Sequence, residues 1–140
     1  MMIIRSVLLV AALAMLAGCW QNNVSRTYYP SGKLRTEATI QNYLLDGPAA
    51  SYYENGNKKS EAVYRGGILN GKSASYYESG AKKAEAQYAD GVLNGYSTAW
   101  TENGRVQSRA LFHDGRLVSS DNAMPPEAAP ALPDRVPPAK

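Results

Sequence analysis

Few side chains in this chain could do chemistry, and their spacing limits what they could do. His113 is the one histidine and Cys19 the one cysteine in 140 residues. Acid–base or nucleophilic catalysis needs a reactive group with partners held in hydrogen-bond reach. His113-Asp114-Gly115 instead stands where the surrounding pattern calls for a turn, the ordinary setting of a solvated histidine. No third partner for a serine triad is visible, and one histidine without a second soft ligand makes a poor transition-metal site. Glu37, Glu61 and Glu85 recur every 24 residues with lysines beside them. In a meander such residues would sit roughly 9 to 10 Å apart, two strand spacings. That is too far to share a calcium ion or divide acid–base work, and they read as cross-strand Lys–Glu pairs on a wet face. The glycines fall in turn signals, so no phosphate-cradling loop is present. These residues predict no enzyme, no catalytic or metal-ligating residue, no cofactor and no small-molecule substrate.

The elements that carry these residues are announced by a repeat. Tyr28, Tyr52, Tyr76 and Trp100 lie 24 residues apart in the same surroundings. Other columns keep the period: Gly32, Gly56, Gly80 and Gly104; Ala38, Ala62, Ala86 and Ala110; Leu45, Leu69, Leu93 and Leu117. In the last unit Arg109 replaces the glutamate and Ser119 the glycine of Gly47, Gly71 and Gly95, as in a terminal cap. Each unit has one turn signal at Ser31-Gly32 or Asn55-Gly56 and a second around Asp46-Gly47, Asn70-Gly71 or Asn94-Gly95. Between them run segments of about six to eight residues rich in Tyr, Ala, Ser and Thr, without helical periodicity. The expected fold is all-β: an elongated antiparallel meander of 24-residue β-hairpin repeats, about four of them, over residues 27–119. A three-residue loop at Glu54-Asn55-Gly56 would place Tyr52 on the face of Ser60, Ala62 and Tyr64, with Lys59, Glu61, Lys83 and Glu85 opposite. The second column, Tyr29, Tyr53 and Tyr77, would then form an exposed aromatic stripe, a candidate partner-binding surface.

The repeated Tyr-Tyr-x-x-Gly, followed by the column that ends in Leu-Asn-Gly or Leu-Asp-Gly, resembles the variant MORN repeat. Members of that family include envelope lipoproteins and proteins labelled YwqK-family antitoxins. The resemblance covers residues 27–119 and implies stacked hairpins in one long sheet. It implies no activity, because its motif positions are turns and core residues.

The two ends read differently. Residues 1–18 carry Arg5, an apolar run from Val7 to Leu16, then small residues, the layout of a secretory signal. The run is too short for a helical span, which takes roughly 20 apolar residues. Leu16-Ala17-Gly18-Cys19 resembles the lipobox of bacterial lipoproteins, which implies cleavage before Cys19 and a diacylglycerol thioether on its sulfur. Two or three acyl chains there would anchor the protein to a membrane, through a linker at residues 19–26. A lipidated Cys19 leaves no thiol for a disulfide. Trp20, with no aspartate beside the lipidated residue, favours the periplasmic side of an outer membrane. Six of the eight prolines lie in residues 120–140, a composition expected to form an extended, disordered tail. The formal charge of +3 is small and spread along the chain, which argues against nucleic acid as partner. The sum of these features is a lipid-anchored envelope protein whose sheet binds a macromolecular partner, with an immunity role conceivable. The rival readings are a structural spacer in an envelope assembly and a module that touches lipid headgroups.

Overall fold

The structure, a computed structural model, describes residues 23–121. The expected signal at residues 1–18, lipidated Cys19 and nearly all of the proline-rich tail lie outside the described residues. The described part is one antiparallel sheet of nine strands in sequence order. They are β1 (Asn23–Tyr28), β2 (Leu34–Gln41), β3 (Leu44–Tyr52), β4 (Lys58–Arg65), β5 (Ile68–Tyr76), β6 (Lys82–Ala89), β7 (Val92–Trp100), β8 (Val106–His113) and β9 (Arg116–Ser120). The all-β meander of hairpins predicted from the repeat is therefore the fold. β1 begins at Asn23, so the sheet opens inside the segment expected to be a linker.

Two kinds of turn alternate. In the first, Tyr53 N donates to Asn57 O at 2.8 Å and Gly56 N to Tyr53 O at 2.9 Å, which closes a three-residue loop with Gly56 at φ +93°. This is the predicted Glu54-Asn55-Gly56 loop. The second turn is not where the sequence signal placed it. Two residues with positive φ make it each time: Asn42-Tyr43, Gly66-Gly67, Asp90-Gly91 and Asp114-Gly115, the arrangement that matches the twist of paired strands. Asp46-Gly47, Asn70-Gly71 and Asn94-Gly95 lie inside β3, β5 and β7. There the ladder pairs Ala38 with Ala49 and Ile40 with Leu45, so three residues oppose the single Thr39. The glycines of this bulge adopt φ of +115°, +120° and +118°. Bulge and turn both demand positive φ, and a glycine column alone does not separate them.

A second irregularity decides which side chains share a face. Tyr52 pairs with Lys58 but Ser51 pairs with Ser60, so Lys59 is an extra residue on the β4 side. The same step occurs at Arg35, Lys83 and Gln107. One extra residue reverses the alternation of side chains beyond it. Tyr52 therefore leaves the face of Ser60, Ala62 and Tyr64 and joins that of Glu61, contrary to the expectation from the loop alone. Tyr53 moves the other way.

The inner face so defined is a band of small side chains. Ala38, Ala62 and Ala86 are 1 to 2% exposed and Ser73 is 0% exposed, although the described residues contain no second layer. Their cover comes from taller residues of the same sheet: Tyr64 paired with Leu69 and Tyr88 with Leu93 at one margin, and Tyr29, Tyr53 and Tyr77 at the other. Two hydroxyl pairs bond across strands, Ser51 with Ser60 at 2.7 Å and Thr27 with Thr36, which offsets their desolvation.

Candidate functional site

The outer face carries the groups that remain open to a ligand. Each of its units starts from a ring at the end of an odd strand. Tyr52 Oη donates to Glu37 Oε1 at 2.8 Å, and Tyr76 Oη donates to Glu61 Oε1. Glu37 stands across the ladder from Ala50, and Glu61 from Ala74. To reach its carboxylate, each phenol ring must lean along the strand over the intervening alanine. Ala74 is on the outer face and yet only 4% exposed, the burial expected beneath such a ring. The row begins with Tyr28, 58% exposed on the edge strand β1, and ends with Trp100, half-buried.

Basic side chains complete these units. Lys58 Nζ lies 2.6 Å from Glu61 Oε2 and Lys82 Nζ 2.7 Å from Glu85 Oε2. Lys72 adds a contact to Glu85 at 3.7 Å, and Arg26 meets Glu37 at 3.4 Å. The Lys82 ammonium also stands 5.6 Å from the Trp100 ring centre, within cation–π range. These contacts shift the titration of the row. Partial burial pushes Tyr76 up to about 12, helped by its bond to Glu61 and the charges of Glu61 and Glu85. Tyr52 is raised by burial and then by Glu37. For Glu61, burial opposes ionisation, but the bonds from Lys58 and Tyr76 outweigh it and hold the carboxyl below its usual range. Glu85 is lowered by Lys82 against a smaller burial effect. The row is thus a ladder of tied phenols, ionised carboxylates and ammonium groups. The close Lys–Glu pairs differ from the cross-strand pairs expected: Lys58–Glu61 and Lys82–Glu85 each join two residues of one strand, and the longer Lys72–Glu85 contact crosses between strands; the tyrosines bonded to these glutamates share their face because of the parity step at Lys59.

The other candidates lie elsewhere. Tyr29, Tyr53 and Tyr77 are half-buried on the inner side. Their phenols donate to the backbone carbonyls of Tyr52, Tyr76 and Trp100 at 2.7, 2.9 and 2.9 Å, and cations of Arg35 and Lys83 stand 5.8 and 5.6 Å from the rings of Tyr29 and Tyr77. Each phenol therefore stitches one repeat to the next and does not stand in a free exposed stripe. His113 ends β8 with its side chain 72% exposed, 3.5 Å from Asp114. Among the described residues no three His, Cys, Asp or Glu side chains gather in a group suited to a metal ion. A further feature had no sequence signal of its own. Leu44, Ile68 and Val92, 50, 52 and 44% exposed, form an apolar ridge along the second-turn margin. A β-carbon added at Gly67, Gly91 or Gly115 would come within 3.5, 3.3 or 3.2 Å of them, so each ridge residue packs on the next repeat's turn.

In the last unit Arg109 takes the glutamate position and lies 4.1 Å from the Tyr96 ring centre. The ladder runs Leu111 to Ser119 and Phe112 to Leu117, with one extra residue where earlier units have two. A serine in place of the glycine avoids the positive-φ bulge, and β9 is exposed along its whole length.

No curated protein and no solved structure matches the chain. Residues 21–42, 45–65 and 69–90 match the model of the MORN repeat variant. Each match takes in most of one odd strand, a three-residue loop and the even strand that follows, and β7 with β8 repeats the same register 24 residues on. The chain is a repeat protein, and three of its units match the MORN repeat variant.

Proposed function

We propose that this protein works by binding and not by catalysis: anchored through a lipidated Cys19 to the periplasmic side of the bacterial envelope, it offers its sheet to a macromolecular partner. The observation that carries the reading is the asymmetry of the sheet. The inner face is closed by its own alanines, serines and stitched phenols, while the outer face repeats a half-exposed ring, a carboxylate and a cation three times, at Tyr52, Tyr76 and Trp100. A repeated array of this kind suits an extended partner, as concave or elongated repeat surfaces do in general. The finer form of the proposal is an immunity role, in which the sheet covers a toxic enzyme that reaches the envelope; its support is the resemblance to antitoxin-labelled relatives of the repeat.

A rival reading makes the chain a spacer in an envelope assembly. It draws on the stitches between units, among them Lys33 Nζ to Glu54 O and Asn57 Nδ2 to Glu78 O, both 2.8 Å, which make the sheet a stiff element.

The test is crosslinked capture from native envelopes with the full-length lipidated chain, run beside two triple-alanine variants, one at Tyr52, Tyr76 and Trp100 and one at Tyr29, Tyr53 and Tyr77. Loss of one defined partner in the outer-face variant supports a binding sheet. Loss only in the other variant moves contact to the inner margin. Capture that is equal in all three, with the protein still membrane-bound, favours the spacer.

A further inference from the structure

We propose that the outer-face row Tyr28, Tyr52, Tyr76 and Trp100 is a stacking platform for a single, uncharged β-1,4-linked glycan chain. The inference rests on the reading of the sheet as a binding surface and names the ligand class of its outer face.

Geometry is the first reason. Corresponding rings stand on every second strand, roughly 9.5 Å apart from strand spacing alone, in a line perpendicular to the strands. An extended β-1,4-linked pyranose chain repeats every disaccharide at about that length, so one ring meets one sugar face per repeat. The rings are also suitably posed. The bonds of Tyr52 to Glu37 and Tyr76 to Glu61 draw both rings along the outer face, where Ala74 is only 4% exposed, and a ring drawn along the sheet offers a face on which the apolar side of a pyranose can rest.

Hydrogen-bond inventory is the second. The phenol protons of Tyr52 and Tyr76 are already given to carboxylates, and a carboxylate can accept from several directions. What Glu37, Glu61 and Glu85 and their basic partners still offer is carboxylate lone pairs and cationic N–H protons, side by side. A glycan hydroxyl both donates and accepts and can use both. A proline-rich peptide in polyproline form has a similar turn length, about 9.3 Å, but brings few donors to those carboxylates and presses edges into slots, which flat rings do not form.

Charge is the third. Arg26 with Glu37, Lys58 with Glu61 and Lys82 with Glu85 pair along the row, and with Lys72 beside Glu85 and Arg109 in the glutamate position of the last unit the platform keeps only a small positive excess, short of the dense cationic array that a phosphate backbone or a polyanion calls for. Twist refines the ligand further. Neighbouring strands rotate by about 20°, so successive rings turn by roughly 40°. A free chain follows that turn by rotation about its glycosidic bonds, whereas the flat face of a crystalline polysaccharide does not.

The experiment is calorimetric titration of the full-length chain in detergent with soluble β-1,4-linked N-acetylglucosamine oligomers of increasing length, and with an α-1,4-linked glucose oligomer as control. Affinity is expected to rise about tenfold or more from the shortest oligomer to one that spans three rings, since each added ring adds a contact without a new association cost. Tyr76→Ala and Trp100→Ala should each weaken the long oligomer about tenfold, and Tyr76→Phe, which keeps the ring and frees Glu61, by less. Fluorescence of Trp100 in a Trp20→Phe background should shift on binding, a readout independent of any alanine variant's folding. Binding without length dependence, equal binding of the α-linked control, or a silent Trp100 would overturn the glycan platform. If those fail while the envelope capture still loses its partner in the outer-face variant, the binding sheet stands and only its ligand class is wrong. If both fail, the outer face is not a binding surface.

Discussion

Ala62 and Val63 are neighbours on β4 that face opposite ways, and they show how differently the two sides of this sheet are built. Ala62 is 2% exposed beneath taller side chains of its own layer, while Val63 is 41% exposed on the outer side. A single-layer sheet normally leaves both faces wet. Here one face has been closed by a band of side chains small enough for flanking rings to roof it, and the other has been left to polar ladders. Stability should therefore be concentrated on the inner face and recognition on the outer.

Ala62→Asp puts a charge in the closed band and should cost about 3 kcal/mol or more in urea unfolding, whereas Val63→Asp should stay within about 0.5 kcal/mol. Equal costs would mean that the band is not a core. Next comes the backbone that shapes both faces. Gly71→Ala places a β-carbon 3.4 Å from Val63 Cβ at φ +120° and should destabilise by about 2 kcal/mol. Gly56→Ala, at φ +93° with open space around it, should cost about 1 kcal/mol. A smaller effect has the opposite sign. The buried Ser73 Oγ makes no hydrogen bond, and the corresponding residue of the preceding repeat is Ala49, so Ser73→Ala should raise stability by about 1 kcal/mol.

The smallest effects are on the outer face and are seen best as pH dependence. Glu61 has a folded value below its ordinary 4.5. Its contribution is then present above pH 4.5 and lost as pH falls through the lower folded value. Because the side chain is 41% exposed, the amplitude should be a fraction of a kcal/mol, and Glu61→Gln should flatten that limb of the acid titration. Tyr76 behaves in the mirror sense. Its folded value of about 12 exceeds 10.0, so its contribution is complete below pH 10 and disappears as pH rises toward 12. Phenolate absorbance of wild type against Tyr76→Phe should show one tyrosine that ionises late; its absence would mean that the Tyr76–Glu61 bond does not persist in solution.

Much of the fold was legible because the repeat converts weak local signals into columns. A single Asn-Gly or an alternating Tyr-Ala run decides little, but the same run at Tyr28, Tyr52 and Tyr76 identifies strands, and Glu54-Asn55-Gly56 was read correctly as a three-residue loop. The second turn was misplaced because Gly47, Gly71 and Gly95 ask for positive φ as a turn glycine does, while the true turn at Asn42-Tyr43 carries no glycine in the first unit. The tyrosine columns were assigned to the wrong faces for another reason. Lys59 looks like any strand residue, and nothing in its side chain announces that the ladder will step past it.

The period, the strand class, the loops that need glycine at Gly32, Gly56, Gly80 and Gly104, and the alternation of large with small side chains are all written in the order of residues, because they follow from local conformational preference summed over equivalent positions. Which tyrosines meet glutamates and which meet backbone carbonyls is settled by the pairing of the strands. That choice depends on strand register, and a bulge of one residue, set by pairing between strands and not by the residue it displaces, exchanges the two faces.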